Sequence, residues 1–349
     1  MGVCSARKIE QRVMEDVGFR VLAAGNAPDF RTIADFRKIH RPALEGFFEQ
    51  VLRMALEVGA VQVGRVALDG SKVKANASKH KAMSWGRMQE QEKAIRKQVK
   101  QLLRQAAETD AAEDRRYGRN RRGEELPEEW QRRETRLQRI REAKKALQER
   151  AREEAKEQYN FTDPESRIMK SSSEGFVQAC NAQIAVEPAM QLIVGQAVTQ
   201  AANDKEQVEP MVKAIEAQSG QRPKEMLADN GYCSEKNLEY LESAKKPEKK
   251  IAAYLATGRQ KHGERQVCPR GPLPQGATRV ERMKRKLQTP AGAAIYAARQ
   301  AIVEPVFGQI KQARGFRRFS LRGLAKVQAE WALVCATHNI LKLHRLCYG

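Results

Sequence analysis

The stretch VGRVALDGSKVKANASKHKAMSW, residues 63–85, joins an apolar run to a group of cations through one carboxylate. The apolar residues before Asp69 include β-branched valines and predict a short buried strand. Gly70 then opens a basic segment, whose cations are Lys72, Lys74, Lys79, His80 and Lys81. A surface loop with scattered charge would account for the cations alone. A carboxylate set beside a polyanionic substrate would account for both features.

The composition favours a polyanionic partner. The chain has 349 residues and a formal net charge of +21, which points to nucleic acid or an anionic membrane surface. No apolar run of about 18 residues occurs, and the N-terminal sequence lacks the apolar core of a secretion signal. Six cysteines are scattered without a CxxC pair, which is typical of a reduced cytosolic protein. We therefore expect a cytoplasmic protein with no membrane partner.

A group of cysteines and histidines near residue 340 resembles a zinc knuckle. The segment LAKVQAEWALVCATHNILKLHRL, however, has the pattern of one continuous amphipathic helix. At about 100° per residue, Cys335 and His344 would lie on opposite faces of that helix and could not share an ion. Helix core and helix surface explain the four residues better than a metal site; they are Cys335, His338, His344 and Cys347.

The first half of the chain is predicted to be mainly helical. Residues 8–58 have apolar side chains at helical spacing, with Thr32 as an N-cap. In residues 87–157, 37 of 71 residues are charged and the net charge is only +5. Leu137, Ile140, Leu147 and Ala151 form a thin apolar stripe there, and YGRNRRGEELPEEW predicts a turn between two long helices. The simplest interpretation is a solvated helical hairpin.

The second half alternates between strands and helices. Residues 175–187 and 191–200 predict an antiparallel hairpin, and residues 225–229 and 250–258 predict further strands. The predicted helix caps are Asn203 or Asp204, Gly220 at a C-terminus, and Ser234. Helices are predicted at about 291–313 and 322–345. The order predicts a mixed α/β sheet flanked by helices with one large insertion, which is compatible with an RNase H-like core.

Two aspartates follow strands and precede a glycine by one or two residues. If the strands are neighbours, Asp69 and Asp229 converge at one edge of the sheet, where hard oxygen ligands suit a divalent metal ion such as Mg²⁺. A single aspartate in this position is more often a turn or helix cap. The pair alone therefore leaves both interpretations open.

The third candidate acid is Glu304, which lies in an apolar helical segment directly before Pro305. Because proline removes a backbone donor, we expect Glu304 to lie at a bend. Residues 258–349 contain 18 Lys/Arg and 4 Asp/Glu, so most of the excess positive charge surrounds Glu304. An isolated acid in that field is either a salt-bridged structural residue or a metal ligand that serves a phosphate backbone.

Several segments distributed over nearly the whole chain carry a specific resemblance. They are VALDGSKVKANASKHKAMSWGRM, YGRNRRGEELP, TDPESRIMK, NAQIAVE, ADNGYCSEKNL, IVEPVFGQIKQARGFRRFSLRGL and EWALVCATHNILKL. Together they resemble bacterial insertion-sequence transposases of the DDE class, in the subgroup with a basic helical insertion after the first catalytic aspartate. The resemblance implies an RNase H-like catalytic core. It also implies a shortened N-terminus, because the transposases have a longer helical region before the matching segment.

The resemblance also implies site residues and cofactors. Asp69, Asp229 and Glu304 would form the acidic triad that holds two Mg²⁺ or Mn²⁺ ions. Tyr296, Arg299, Glu304 and Lys311 approximate the tyrosine-arginine-glutamate-lysine pattern around the third acid, with one extra residue between Arg299 and Glu304. The expected DNA contacts are Lys72, Lys74, Lys79, His80, Arg299, Lys311, Arg314, Arg317 and Arg318.

The expected organisation has four parts. These are an N-terminal helical remnant (1–60), the first strand and its basic loop (61–86), the charged insertion (87–160), and the remainder of the core with basic C-terminal helices (161–349). The expected partners are double-stranded DNA, as element ends and target, and a second copy of the chain on that DNA. Two rival hypotheses are a basic DNA-binding relic without catalysis and a nuclease without strand transfer.

Overall fold

The computed structural model describes residues 5–117, 128–149, 158–171, 174–242, 250–258 and 271–348. The helices are α1 Ala6–Glu15, α2 Val17–Leu22, α3 Phe30–Ile39, α4 Arg41–Glu57, α5 Trp85–Tyr117, α6 Glu128–Glu149, α7 Val208–Ser219, α8 Glu235–Glu242, α9 Arg279–Gln288, α10 Pro290–Gly308 and α11 Leu324–Tyr348. The strands are β1 Arg65–Lys74, β2 Ala82–Ser84, β3 Gln158–Asn160, β4 Arg167–Ser171, β5 Gly175–Val186, β6 Ile193–Thr199, β7 Glu225–Ala228 and β8 Ala252–Leu255.

The chain divides into two compact units. The first unit consists of Met1–Asn76 and Ile168–Gly349, and the second consists of Ala77–Arg167. The second unit is therefore inserted between β1 and the strands that follow it in the first unit.

The sheet of the first unit has the order β6–β5–β1–β7–β8, with β4 also beside β5. Strand β5 is antiparallel to both β1 and β6, which confirms the predicted hairpin. Strand β7 is parallel to β1, and β8 is parallel to β7. A long antiparallel strand beside β1 and two parallel strands on its other side form the RNase H-like arrangement, so the predicted fold class is confirmed.

The core lies between this sheet and its helices. Helix α11 packs on α4 and β6, α7 packs on β6, and α10 packs on α9 and the central strands. Trp331 of α11 is fully buried, its ring is stacked on Phe307 at 6.4 Å, and its indole N–H donates to the carbonyl of Gln183 at 3.2 Å. Burying an indole is favourable when its N–H has such a partner. This contact joins α10 and α11 to the middle of β5.

Helix α10 neither ends nor restarts at Pro305, which lies inside it, and the bend expected at Glu304 stays a prediction. Proline has no N–H to donate to the carbonyl of residue 301, four positions earlier. That carbonyl instead accepts a hydrogen bond from the side-chain amide of Gln191, at 2.8 Å. The chain then continues into one π-helical turn, Gln309–Ala313, which is wider than an α-helical turn. Glu304 therefore lies in the body of a helix.

The predicted helix caps are partly right. Gly220 ends α7 with a φ of 70°, and the Ser234 hydroxyl accepts from the amide of Asn237 at 3.2 Å. The other two predictions are wrong. The cap of α3 is Asp29, which accepts from the amides of Arg31 and Thr32, so Thr32 lies inside the helix. The cap position of α7 is Gln207, because the Asp204 side chain is bonded elsewhere.

The second unit has its own core and a two-stranded antiparallel sheet of β2 and β3. The buried side chains of α5 and α6 are Trp85, Met88, Ile95, Leu137, Ile140, Ala143 and Leu147. Three members of the predicted apolar stripe are among them. Ala151 and residues 118–127 of the predicted turn lie outside the described residues.

One carboxylate in this second unit is nearly buried. Glu92 on α5 accepts from Arg96 at 2.6 Å and from Lys144 at 2.7 Å, and Arg141 lies 3.6 Å away. The hydrogen bond from Lys144 is the main cause that lowers the pKa of Glu92. Helices α5 and α6 are thus held together by an ionic group as well as by apolar packing.

Helix α11 is continuous, as its sequence predicts. Cys335 and His338 are buried in the core, whereas Cys347 near the end of the helix is exposed. Across the part of the chain that the structure describes, no group of three or more His, Cys, Asp or Glu side chains is placed to hold a metal ion. No described helix has the length and apolar content required to cross a membrane.

Candidate active site

Asp69 and Asp229 lie side by side because of the register between β1 and β7. The last paired residues of these parallel strands are Leu68 and Ala228, and each aspartate is the next residue in its strand direction. Asp229 leaves the sheet, and its Oδ1 accepts from the amide of Gly231 at 2.8 Å. Asp69 remains in β1, where it is paired with Ile184 of β5. The strand thus extends past the expected end, and Lys72 and Lys74 belong to β1 rather than to a loop.

The Asp69 carboxylate is in an unfavourable environment for its charge. Burial is the largest influence and raises its pKa to about 6, from an ordinary value of 3.8. The Arg299 guanidinium opposes this rise, while the neighbouring carboxylates of Asp229 and Asp204 add to it. A cation close to Asp69 and Asp229 would relieve the repulsion between them. Two carboxylates at one sheet edge are also the oxygen ligands that hard divalent cations prefer, so these two residues fit a metal ion.

Glu304 is brought toward the aspartates from α10, but Arg299 lies between them. Arg299 is only 9% exposed. Its Nη1 is 3.8 Å from Oδ2 of Asp69, and its Nη2 is 3.7 Å from Oε1 of Glu304. Its buried Nε and Nη1 have no hydrogen-bond partner. Glu304 is therefore an ion-paired residue in this structure, with a half-exposed side chain, and it does not complete a group of three acids with Asp69 and Asp229.

A fourth carboxylate, Asp204, lies beside the two aspartates. Its Oδ1 accepts from the side-chain amides of Asn181 at 2.6 Å and Gln183 at 2.7 Å, and from Lys72 at 3.3 Å. Sequence reasoning missed this role and predicted a helix cap. A signal was present in β5, where the amides of Gln178, Asn181 and Gln183 interrupt a buried strand. Buried amides require polar partners, and Asp204 is that partner for Asn181 and Gln183.

Six of the nine predicted DNA contacts are engaged within the protein. Arg299 is ion-paired as described above, and Arg317 donates to the Gln312 side chain and to the Lys311 carbonyl. The other four are the following. Lys72 pairs with Asp204, Lys74 with Glu174, and Lys311 donates to the Ser71 hydroxyl. Arg314 donates to the hydroxyl and carbonyl of Thr337, both at 3.0 Å. Burial is the main cause that lowers the pKa of Lys311, and nearby Asp69 opposes it.

Arg317 and Arg318 are exposed, on a loop that is bound to the end of β1. The Lys74 amide donates to the Arg317 carbonyl at 3.3 Å, and the Phe319 amide donates to the Lys74 carbonyl at 2.8 Å. The Glu330 carboxylate accepts from the amides of Ser320 and Leu321. These bonds fix the backbone that carries the two arginines. Lys79 and His80 belong to the second unit, where they lie exposed on a 3₁₀ turn.

A comparison with protein families identifies the chain. Residues 150–340 match the model of the family described as transposase DDE domain. The chain belongs to this family of DDE transposases. The match covers more than half of the chain and includes Asp204, Asp229 and Glu304, whereas Asp69 precedes the matched residues. No curated protein sequence and no solved structure matches the chain.

Membership fixes the broad class of activity. The chain is a DDE transposase of insertion-sequence type, a class of mobile-element enzymes that act on DNA and generally use divalent metal ions. The RNase H-like sheet and the pair Asp69–Asp229 are consistent with that class.

Proposed function

We propose that this transposase hydrolyses a phosphodiester at each end of an insertion sequence and joins the resulting 3′-OH to target DNA. In the first step, a water oxygen forms a bond to phosphorus as the P–O3′ bond breaks, and the 3′ oxygen takes up a proton. In the second step, the freed 3′-OH attacks a target phosphorus, and the P–O3′ bond of the target breaks. Asp69, Asp229 and Glu304 are proposed as the acidic triad.

The register between β1 and β7 is the observation that carries this proposal. It brings Asp69 and Asp229 together at the end of a pair of parallel strands, where burial raises the pKa of Asp69 to about 6. Carboxylates with perturbed pKa values cluster at functional sites, so the raised pKa of Asp69 favours a functional role for this pair. A structural role alone would be better served by neutral side chains.

We propose Mg²⁺ or Mn²⁺ as the cofactor, as two ions that Asp69 and Asp229 would hold together with Glu304 if Glu304 exchanges its Arg299 partner for the metal. Such ions supply Lewis-acid stabilisation of the phosphate oxygens and lower the pKa of the attacking water. The Arg299 guanidinium holds Asp69 and Glu304 near each other, because its Nη1 lies 3.8 Å from Oδ2 of Asp69 and its Nη2 lies 3.7 Å from Oε1 of Glu304. The half-buried Lys311 is close enough to the site to sense the charge of Asp69, and it contacts a phosphate near the cleaved bond.

The basic residues position the DNA. Arg317 and Arg318 face solvent from a loop that is bonded to β1, and they extend the phosphate contacts of Lys311. Arg314 supports this loop through Thr337, and Lys72 and Lys74 contact DNA if they exchange their carboxylate partners for phosphates. Lys79 and His80 add contacts from the second unit. Such contacts contribute affinity and register rather than sequence recognition.

The remaining proposals concern organisation. The region 1–60 is proposed as a helical part that precedes the core (61–86 and 161–349), and 87–160 as an insertion that mediates pairing of two copies on DNA. The proposed partners are double-stranded DNA of the element's terminal repeats and of the target. The proposed location of the protein is the cytoplasm, in association with the nucleoid. A monomeric mass of the complex with end DNA would contradict the pairing role.

Cleavage of labelled DNA that carries the element's own ends tests the proposed function. We expect Mg²⁺- or Mn²⁺-dependent nicking by the wild-type chain and none by Asp229→Ala, because that variant lacks one of the two adjacent carboxylates. Glu49→Gln is the matched control, since Glu49 is exposed on α4 and lies outside the proposed site. It should cleave at the wild-type rate.

A supercoiled target plasmid added to the same reaction separates the rival hypotheses. Joined products support transposition, whereas nicking without joining identifies a nuclease. Salt-sensitive DNA binding without metal-dependent nicking would identify a DNA-binding relic and overturn the proposal.

A further inference from the structure

Asp204 lies between the two chain segments that follow Asp69 and Asp229. A Cβ atom added to Gly70 would lie 2.8 Å from Oδ1 of Asp204 and 2.1 Å from Nε2 of Gln183. A Cβ atom added to Gly231 would lie 3.0 Å from Oδ1 of Asp229 and 3.5 Å from Oδ2 of Asp204. The glycines next to both aspartates thus permit a close approach by the same carboxylate.

Three hydrogen-bond donors hold Asp204 in this position. Asn181 and Gln183 reach it from β5 and are fully buried, and Lys72 reaches it from β1. Charged acceptors make stronger hydrogen bonds than neutral ones, so this carboxylate also fixes the side chains that donate to it. Because Nε2 of Gln183 donates to Asp204, the amide oxygen Oε1 of Gln183 is directed away from Asp204.

Oε1 of Gln183 contacts the turn that follows Asp229. The Tyr232 hydroxyl donates to Oε1 of Gln183. Burial raises the pKa of Tyr232 well above its ordinary value, and the carboxylates of Asp204, Asp69 and Asp229 add to the rise, so the hydroxyl keeps its proton. Asn237 makes a second connection, because its amide donates to the carbonyls of Lys205 at 2.6 Å and Tyr232 at 2.7 Å.

We infer that Asp204 is a positioning residue, which fixes the separation of Asp69 and Asp229 by tying β1 and β5 to the turn Asn230–Tyr232. The inference rests on the proposed function of these two aspartates as metal ligands. At the start of α7, whose cap position is Gln207, Asp204 accepts only through its backbone carbonyl, from the Gln207 amide at 3.0 Å. The hydrogen bonds of its side chain go instead to β1 and β5, and Gln183 extends them to Tyr232 in the turn after Asp229.

Two substitutions at Asp204 separate a positioning role from a role as a metal ligand and from a purely structural role. Asp204→Ala removes every bond to the carboxylate. Asp204→Asn keeps an oxygen that accepts from Asn181 and Gln183 but removes the charge. A positioning role therefore predicts that the asparagine variant rescues what the alanine variant loses. Glu206→Ala is the matched control, because Glu206 is an exposed acid two residues along the same segment.

The experiment measures kcat and KM for cleavage of end DNA together with Mn²⁺ affinity by electron paramagnetic resonance of the free ion. Loss of groups that support metal ligands typically costs about 10- to 100-fold in affinity or activity. For Asp204→Ala we expect kcat to fall by about 30-fold and Mn²⁺ affinity by about tenfold, with KM for DNA within about twofold of wild type. Asp204→Asn and Glu206→Ala should stay within about threefold in both readouts.

Two results would overturn the inference. If Asp204→Asn loses as much Mn²⁺ affinity as Asp204→Ala, the charge itself is needed and Asp204 acts as a ligand. If Asp204→Ala lowers only the melting temperature, with kcat and Mn²⁺ affinity per folded molecule unchanged, its role is structural. If the wild-type chain cleaves no DNA but the Mn²⁺ pattern holds, the proposed function fails and the positioning role stands.

Discussion

The residues that follow Asp69 and Asp229 are so closely packed that one added carbon atom would overlap a neighbouring side chain. Gly70 directly follows Asp69 and Gly231 comes two residues after Asp229. A side chain at Gly70 would overlap Gln183 and Asp204, and one at Gly231 would meet Asp229 and Asp204. Of the two, Gly70 is the more crowded, because Gln183 and Asp204 are bonded to each other and cannot easily move aside. The residue after Asp69 is therefore set by packing rather than by backbone conformation.

Gly70→Ala should destabilise the protein and reduce cleavage. The added methyl group would overlap Gln183 and Asp204, and overpacking of this kind costs about 1–3 kcal/mol. Urea unfolding measures the loss. Gly64→Ala is the control, because a Cβ atom at Gly64 meets nothing within 4 Å, and it should change stability by about 0.5 kcal/mol or less. Equal stability of the two variants would contradict the prediction.

His338 should make the protein sensitive to acid. Burial lowers its pKa from 6.5 to about 4, and its Nε2 is 2.9 Å from the carbonyl of Gln191. Because the folded state disfavours the protonated ring, its contribution is fully present above pH 6.5 and is lost as pH falls toward 4. The shift corresponds to a loss of about 2 kcal/mol at pH 5 relative to pH 7.5.

Urea unfolding of wild type and His338→Gln at pH 7.5 and pH 5 measures this contribution. Glutamine keeps a donor for the Gln191 carbonyl but does not titrate, so the variant should lose less stability between the two pH values than wild type. The same loss in both proteins would show that other groups cause the acid sensitivity.

At the scale of elements, the long helices and the sheet follow from local patterns, but the connections between them do not. Periodicity predicts the hairpin of β5 and β6 and the parallel strand that ends before Asp229. The carbonyl that Pro305 leaves free accepts instead from Gln191, over one hundred positions away in the sequence, a partner that no local pattern predicts. The local pattern likewise predicts a helix cap at Asp204, because its actual partners, Asn181 and Gln183 on β5, are distant in the sequence. Sequence therefore predicts the candidate acids, whereas the partners of each acid depend on tertiary contacts.

Glu92 should hold the two helices of the second unit together. Its carboxylate is nearly buried and is bonded to Arg96 and Lys144, so Glu92→Ala leaves cations without their partner. Because Arg96 and Arg141 are more than half exposed and stay hydrated without Glu92, the loss should be about 1 kcal/mol, the upper end for exposed ion pairs. We expect faster hydrogen exchange across α5 and α6 in the full chain. The exposed neighbour Glu90→Ala should exchange like wild type, and unchanged exchange in Glu92→Ala would contradict the prediction.

At the scale of the whole molecule, positive charge is unevenly distributed along the sequence. The net charge is +21, and residues 258–349 contribute +14 of it, whereas residues 87–157 contribute only +5. Within the described part of residues 258–349, Arg317 and Arg318 are exposed and lie on a loop fixed to β1. The loop is thus a better candidate for phosphate contacts than the charged helices of the insertion.

DNA affinity should fall steeply with salt, and removal of a phosphate contact should reduce that dependence. Each neutralised phosphate contributes about 0.9 to the slope of log affinity against log salt concentration. Arg317→Ala and Arg318→Ala should each lower the slope by about this amount, across unrelated DNA sequences. Fluorescence anisotropy at several salt concentrations measures it. Arg53→Ala, which removes an exposed charge on α4, should leave the slope unchanged.

The insertion between β1 and β5 also has a consequence for how the chain reaches its native state. The Ala75 amide donates to the Gln178 carbonyl at 2.9 Å, so pairing of these strands joins positions that are about 100 residues apart. Closing a flexible loop of that length costs about 4 kcal/mol of chain entropy. An inserted segment that forms its own core first would shorten the effective loop before the strands meet. Early collapse of the insertion would then set the rate at which β1 and β5 pair, and destabilising that segment would slow refolding of a sheet to which it contributes no strand.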